Sequence, residues 1–341
     1  MKFFDPKSLK AQGLVEPNLY REHPFQRLPQ KYKETVRKEI WDLSENSAGV
    51  SILFSSDTVE LSVKWSVKHD LRMNHMTDAG IKGVDLYTKK GQNWHYVGTC
   101  LPNGKENEQI LLEDIERKKR EYCLFLPLYD TLLDLQIGLD DDSILENIIF
   151  QNKPLVFYGT SITQGGCASR PGLVHTNIIS RALGHECINL GFSGNGHLEN
   201  SIGTIMSNID ASLYVVECMY NVDKKMTKER TRPLIKAIRA NPQAKNTPIV
   251  FMEQVVIDMS HINTKFISSV MEKNEELNKQ IQESINEGEK GLFIIKNTSA
   301  IDKDSEATVD GLHFNDLGFQ RYANHFIKNI KYPLITKGLL H

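Results

Sequence analysis

The period of the apolar residues changes near Pro154, and this change constrains the fold more than any other feature of the chain. Before it, residues 59–67 alternate strictly between apolar and polar side chains, and the same period returns at 133–139. Such alternation is typical of antiparallel strands that bury one face. After it, continuous apolar runs alternate with helical stretches, as in βα units around a buried parallel sheet. The chain therefore predicts two domains of different class.

Residues 1–150 are predicted to form an all-β sandwich, jelly-roll-like in kind, because short strands are separated by turn-forming clusters. The run 122–129 is a further candidate strand, and Pro127 inside it favours a sheet edge or a bulge. Residues 147–153 are the best candidate for a linker. A total of 341 residues suits two domains better than one.

Residues 151–341 predict an α/β domain, a flavodoxin-like doubly wound sheet of five parallel strands. The apolar runs that predict these strands are 155–158, 187–190, 213–218, 249–252 and 292–295. The helical stretches are 173–183, 198–207, 231–240, 264–287 and a last one, capped by Asn315 or Asp316, that ends near Ile330.

Composition excludes several classes of protein. Apolar residues make up 40% of the chain and charged residues 25%, and the net charge of −2 provides no basic field for nucleic acid. No apolar run approaches the roughly 18 residues of a membrane span, and the N-terminus lacks the apolar core of a secretory signal. We therefore expect a cytoplasmic protein with no nucleic-acid or membrane partner, the alternative being a secreted chain whose signal has been removed. The sequence gives no oligomeric state.

Cysteine and histidine spacing predicts neither a metal site nor a cofactor. The five cysteines are scattered and form no CxxC pair. His69 and His75 lie six residues apart, without a cysteine or an HExxH partner.

A serine follows the first predicted parallel strand, in the segment GTSITQGG of residues 159–166. Ligands of doubly wound sheets bind beyond the carboxyl ends of the strands, so Ser161 would face the cleft and Gln164 could contact substrate. The alternatives are a turn or a phosphate-binding loop. The segment lacks the GK[ST] of a P-loop and the spacing of GxGxxG, although a flavodoxin-like phosphate site stays open.

Asp310 and His313 lie just before the last predicted helix, in the segment DGLHFN. As a residue type, histidine can accept a serine proton near neutral pH, and a carboxylate three residues earlier can reach back to fix its tautomer. The alternatives are a capping aspartate and a surface-loop histidine.

Two more loops follow predicted strands and carry hydrogen-bond donors, at Gly194 and at Asn221. A glycine amide and an asparagine side chain could stabilise the oxyanion of an acyl-transfer reaction. The alternatives are a turn glycine and an Asx-turn asparagine. All four clues fall at carboxyl ends of strands, which predicts one shared crevice.

The segments GTSITQGG, NLGFSGN, CMYN and DGLHFNDLG resemble the four conserved blocks of the SGNH/GDSL hydrolases. By this resemblance, Ser161 is the nucleophile and Asp310 and His313 complete its triad, while the Ser161 amide, Gly194 and Asn221 form the oxyanion hole. The segments WDLSENSAGV, MNHMTDAG and GVDLY resemble the sandwich domain with a G-x-D-L-Y motif that precedes the hydrolase domain in one subgroup.

The resemblance implies a serine esterase that acts through an acyl-enzyme on short acyl esters, with acetyl esters of carbohydrates as the expected substrates. Three alternatives stay open: an acyltransferase that uses the same acyl-enzyme, a carbohydrate-binding protein without activity, and a coloured flavodoxin-like cofactor binder. Tyr220 departs from the pattern, since relatives more often carry proline there, and it is a candidate for shaping the substrate pocket. His75 is a candidate for reaching substrate from the sandwich, or is a structural histidine. Asp85 caps a turn or pairs between the domains.

Overall fold

Alternating residues of the N-terminal part form two antiparallel sheets in this computed structural model, which describes residues 1–5, 9–257 and 262–331. The strands of the first sheet are β1 (Lys2–Phe4), β4 (Leu61–Val67), β7 (Glu106–Leu112) and β9 (Leu132–Leu139). Those of the second are β2 (Ala11–Gln12), β3 (Ser51–Ser56), β5 (Val84–Lys90), β6 (Asn93–Cys100), β8 (Arg120–Phe125) and β10 (Leu145–Asn147). The sheet orders are β1-β9-β4-β7 and β10-β3-β8-β5-β6, with β2 paired to β3.

The two sheets share one apolar core. Val63 and Trp65 of β4 belong to the same buried cluster as Leu124 of β8 and Ile137 of β9. Burial of this face confirms the predicted sandwich. The strand predicted at 122–129 is β8, but the predicted edge or bulge position is wrong, because β8 ends before Pro127 and pairs with both β3 and β5. Pro127 therefore interrupts no ladder.

The contacts within the chain define two compact units. The first contains Met1–Gln151 and Cys167–Ile188, and the second contains Asn152–Gly166 and Asn189–His341. Helices α1 (Lys38–Ser44), α2 (Asp78–Lys82) and α4 (His175–Leu183) belong to the first unit. Arg181 of α4 lies over the ring of Tyr87, with its guanidinium carbon 4.1 Å from the ring centroid. The boundary predicted between residues 150 and 151 stays a prediction.

The second unit holds most of the parallel sheet that the apolar runs predict. The strands are β11 (Leu155–Gly159), β12 (Cys187–Gly191), β13 (Leu213–Glu217), β14 (Ile249–Met252) and β15 (Leu292–Ile295), in the order β12-β11-β13-β14-β15. The helices of this unit are α3 (Ser161–Gln164), α5 (Asn200–Ser207), α6 (Lys224–Arg239), α7 (Thr264–Asn286) and α8 (Asp316–Ile330). The predicted five-stranded α/β fold is confirmed. Each strand lies within one residue of its predicted bounds.

Helix α6 is the main departure from the predicted helices, because it begins at Lys224 and not near residue 231. Asp223 caps it by accepting a 2.7 Å hydrogen bond from the Met226 amide. The first two turns carry the polar sequence KKMTKER, so no apolar periodicity marks them.

Neighbouring strands bring the chemistry-bearing loops to one edge of the sheet. Gly159, which ends β11, lies opposite Glu217, which ends β13, and its carbonyl accepts a 3.0 Å hydrogen bond from the Phe192 amide after β12. Among the described residues, no helix combines the length and apolarity that crossing a membrane requires.

Candidate active site

Ser161 is the first residue of α3, directly after β11. Thr160 caps this helix by accepting from the Ile162 amide, and the amides of Gly165 and Gly166 donate to the Ser161 carbonyl at 2.9 and 2.7 Å. Gly165 adopts φ +110°, a left-handed conformation that favours glycine. A Cβ atom on Gly159 would collide with Oγ1 of Thr163. The glycines of the segment therefore permit the tight turn that presents the serine.

Ser161, His313 and Asp310 form a hydrogen-bonded chain. The Ser161 hydroxyl lies 2.9 Å from Nε2 of His313, and Nδ1 of His313 lies 2.7 Å from Oδ2 of Asp310. An ionised carboxylate can only accept, so Nδ1 carries the proton and Nε2 is left to accept from the serine. This is the tautomer that a general base requires.

Hydrogen bonds keep the Asp310 carboxyl ionised. Its Oδ1 also accepts from the amides of Leu312 at 3.0 Å and His313 at 2.8 Å. Partial burial raises the pKa of Asp310, but the bonds from the side chain and amide of His313 and from the Leu312 amide outweigh it, so the pKa lies below its usual value. Asp310 thus combines the predicted turn contact with the orienting contact.

A tight turn holds the loop of Asp310 and His313. The Val309 amide donates to the His313 carbonyl at 2.9 Å, and Gly311 between them adopts φ +83°. Asn315 caps α8 by accepting from the Gly318 amide at 3.0 Å, and its own amide donates to the Ala307 carbonyl at 3.1 Å. The segment DGLHFNDLG therefore encodes the turn and the helix start together.

Gly194 and Asn221 lie on the two loops predicted to supply oxyanion donors. Gly194 is exposed and has φ +69°. The Asn221 Oδ1 accepts from the Gly196 amide at 3.2 Å, which fixes the orientation of the side chain and makes its NH2 group the donor end. The predicted oxyanion roles of Ser161, Gly194 and Asn221 stay predictions.

The remaining candidates lie in different surroundings. Gln164 is buried, and its Oε1 accepts from the Ser193 amide at 3.0 Å, which holds the loop of Gly194. The Tyr220 hydroxyl accepts from the Val255 amide at 3.3 Å. His75 lies in the first unit and is partly exposed, with Nδ1 3.1 Å from Oδ1 of Asn74. Contact of these three side chains with substrate stays a prediction.

Sequence reasoning missed a buried polar network below the nucleophile. The Thr163 hydroxyl donates to Oε2 of Glu217 at 2.7 Å, and the Asn189 side chain donates to the Thr163 carbonyl at 2.5 Å. Glu217 is 1% exposed. The available signal was a carboxylate at the end of the otherwise apolar strand LYVVE.

In the first unit, Asp85 of the G-x-D-L-Y segment is buried and binds the segment 167–188. Its Oδ2 pairs with Nη1 of Arg170 and accepts from the Gly172 amide, both at 2.7 Å, and its Oδ1 accepts from Thr99 at 2.7 Å. Burial raises the pKa of the Asp85 carboxyl, and Arg170, Thr99 and Gly172 offset this only in part.

Comparison with known proteins identifies two family matches. Residues 152–331 match the GDSL-like Lipase/Acylhydrolase family, and residues 1–145 match the family described as the N-terminus of Esterase_SGNH_hydro-type. Both matches confirm the predicted resemblance. No curated protein sequence matches the chain.

Solved structures share the fold over nearly the whole chain. A protein described as a GDSL-like lipase, from Bacteroides ovatus ATCC 8483, is 30% identical, covers 97% of each chain and has a TM-score of 0.91. The salicylyl-acyltransferase SsfX3 from a tetracycline biosynthetic pathway is 16% identical, covers 96% of each chain and has a TM-score of 0.77. The acetyl xylan esterase Est2A from the rumen bacterium Butyrivibrio proteoclasticus is 12% identical, covers 100% of this chain and 99% of its own, and has a TM-score of 0.63.

Proposed function

Because the chain belongs to the GDSL-like lipase/acylhydrolase family and is an ester-hydrolysing enzyme, we propose that it is a serine esterase for short acyl esters, above all acetyl esters of carbohydrates. One observation carries the proposal, the hydrogen-bonded chain from Ser161 through His313 to Asp310. Nucleophilic catalysis by serine needs an adjacent base and a group that orients this base, and the three residues fill these roles in turn.

The reaction follows from the positions of the protons. Ser161 Oγ attacks the ester carbonyl while Nε2 of His313 takes the hydroxyl proton, which gives a tetrahedral oxyanion and an imidazolium that Asp310 stabilises. The Ser161 amide, the Gly194 amide and the Asn221 NH2 group bind the oxyanion. The ester bond breaks as His313 returns the proton to the leaving alcohol. Water, activated by the same imidazole, then releases the acyl group from Ser161.

Replacement of the nucleophile tests this proposal. Ser161→Ala should abolish hydrolysis of nitrophenyl acetate and labelling by a fluorophosphonate probe, with the melting temperature kept because the hydroxyl contributes little to packing. Ser268→Ala is the matched control, since Ser268 is an exposed serine on α7. Hydrolysis by Ser161→Ala within tenfold of the wild-type rate would remove Ser161 as the nucleophile.

One cavity bears on the length of the acyl group. A cavity of about 270 Å³ lies against the loop of the triad. Its lining includes Val309 and Gly311, which flank Asp310, together with Ile257 and Ile301. If this cavity takes the acyl chain, each buried methylene adds about 0.8 kcal/mol and the specificity constant rises from acetyl to octanoyl.

We expect the opposite order, with acetyl preferred, because the segments between the four motif blocks contain no long apolar stretch that could cover a fatty chain. Fold similarity to the acetyl xylan esterase supports carbohydrate acetates as substrates. Specificity constants for acetyl, butyryl and octanoyl nitrophenyl esters, followed by acetate release from acetylated xylan, test the order. A rise along the series would replace the acetyl assignment with a longer acyl group.

Transfer of the acyl group to an alcohol is the second candidate function, favoured by the fold similarity to the salicylyl-acyltransferase. Both functions share the acyl-enzyme and differ only in the acceptor. In the presence of glycerol or xylose, a hydrolase releases one acetate for each nitrophenolate. A transferase releases less acetate than nitrophenolate and forms the new ester.

A further inference from the structure

Lys273 is a buried lysine in the middle of α7, outside the triad and its loop. Only 8% of the residue is exposed. Its ammonium group donates to the carbonyl of Met219 at 2.5 Å and to the carbonyl of Val222 at 3.1 Å. These carbonyls lie two residues before and one residue after Asn221, so one side chain binds both ends of the turn that carries Asn221.

Burial of this ammonium group is unfavourable, so packing alone does not account for a lysine at this position. Burial lowers the pKa of Lys273 to about 8, and the negative charge of Asp223 offsets this only in part. An apolar side chain would fill the same space without loss of hydration. What it could not do is donate hydrogen bonds to two carbonyls of a loop.

The other contacts of the turn leave few ways for it to move. The Asn221 amide donates to the Cys218 carbonyl at 3.0 Å, which closes the turn. The Tyr220 hydroxyl accepts from the Val255 amide, and the Tyr220 ring meets the Phe314 ring edge to face at 6.3 Å. Lys273 supplies the two contacts on the side of α7.

We propose that Lys273 is a positioning residue for the oxyanion hole, which acts by holding the turn that aims the Asn221 amide. The proposal rests on the proposed function, because it assigns Lys273 to the same reaction. Electrostatic stabilisation of an oxyanion depends on donors that are fixed before the charge develops. With the turn released from Lys273, the backbone of Asn221 can shift even though the Gly196 amide still binds its Oδ1, and the NH2 group then misses the oxyanion.

A double-mutant cycle with Asn221 tests the proposal. Lys273→Met removes both donors at nearly constant volume and should lower kcat about 10- to 100-fold with little change in KM, because a misplacement of about 1 Å has effects of this size. Asn221→Ala should lower kcat by about 10²–10³. In the double variant, Lys273→Met should have no further effect, since the group through which it acts is gone. Lys279→Met, the same change at an exposed site of α7, should leave kcat unchanged.

The outcomes of this cycle distinguish a failure of the Lys273 proposal from a failure of the oxyanion role of Asn221. If the two changes multiply in the double variant, Lys273 does not act through Asn221 and the proposal is overturned. If Asn221→Ala alone leaves kcat unchanged, Asn221 has no oxyanion role, and the Lys273 proposal fails together with that part of the proposed function. Should Lys273→Met not fold, Lys273→Gln keeps a shorter donor and is taken through the same cycle. For Lys273→Gln, a smaller loss of kcat that disappears in the Asn221→Ala background supports the proposal. A loss that multiplies with that of Asn221→Ala, or an unchanged kcat, overturns it.

Discussion

Replacement of Asp310 by asparagine tests whether the carboxylate sets the tautomer of His313. An asparagine keeps one oxygen for the Leu312 and His313 amides, so the turn is retained. Its NH2 group then faces Nδ1 of His313 where Oδ2 now lies at 2.7 Å. This favours the tautomer with its proton on Nε2, which donates toward Ser161 and cannot take the serine proton.

Solvent exposure sets the expected size of the loss. The same change in a serine protease, where the aspartate is buried, lowers turnover about 10⁴-fold. The Asp310 side chain is 38% exposed, so a water molecule can accept a hydrogen bond from Nδ1–H of His313. A fraction of the enzyme molecules therefore keeps the active tautomer. We therefore expect kcat to fall about 10³-fold, which corresponds to about 4 kcal/mol in the activation barrier. KM should change little, because the change acts on the transition state.

Steady-state hydrolysis of nitrophenyl acetate measures kcat and KM, and thermal melting checks the fold. Asp304→Asn is the matched control, because Asp304 lies in the same loop but binds Arg321 through two 2.8 Å hydrogen bonds. It should keep wild-type turnover. Turnover of Asp310→Asn within tenfold of the wild type would mean that the carboxylate does not set the tautomer of His313 and is a turn residue only.

Two further predictions concern buried charges. Arg170→Ala leaves the Asp85 carboxylate, 0% exposed, without its ion pair and should lower the free energy of unfolding by about 3–5 kcal/mol. Denaturant melts should show part of this loss recovered in the double variant Asp85→Asn/Arg170→Ala, and an equal loss in both would contradict the assignment. In the second prediction, the wild type gains stability relative to Lys273→Met as the pH rises from about 8 to 10.5. The reason is that Lys273 loses its proton near pH 8 in the folded protein but keeps it up to about 10.5 in the unfolded chain. The shift should approach about 3 kcal/mol, and a constant difference would mean that Lys273 is not desolvated.

The parallel sheet could be predicted from sequence because burial on both faces leaves a continuous apolar run. Strand β14, for example, has the predicted bounds, and all four of its residues are buried. Helix α6 could not be bounded in the same way, since its first turns expose a polar surface. The edge prediction for 122–129 failed because the run of apolar residues continues past Phe125 into a loop.

The triad was accessible from sequence because its contacts are either local or carried by motifs. Asp310 and His313 are three residues apart, and Ser161 lies in a block of characteristic composition. Lys273 had no such signal. Its contact with Met219 joins residues 54 apart in sequence, and α7 contains other lysines that are exposed.

Asp85 and Lys273 are both buried charged residues that bind the main chain of a loop. Main-chain groups of a loop have no ladder partners, and leaving them unpaired in the interior is unfavourable, so some side chain must bind them. Asp85 accepts from the Gly172 amide, and Lys273 donates to two carbonyls. Apolar side chains could fill both positions but could not hold these loops. A charge that is buried against a loop backbone therefore fixes one conformation of that loop. Its desolvation lowers the stability of the fold. The loop of Gly172 and the turn of Asn221 are the two loops held in this way.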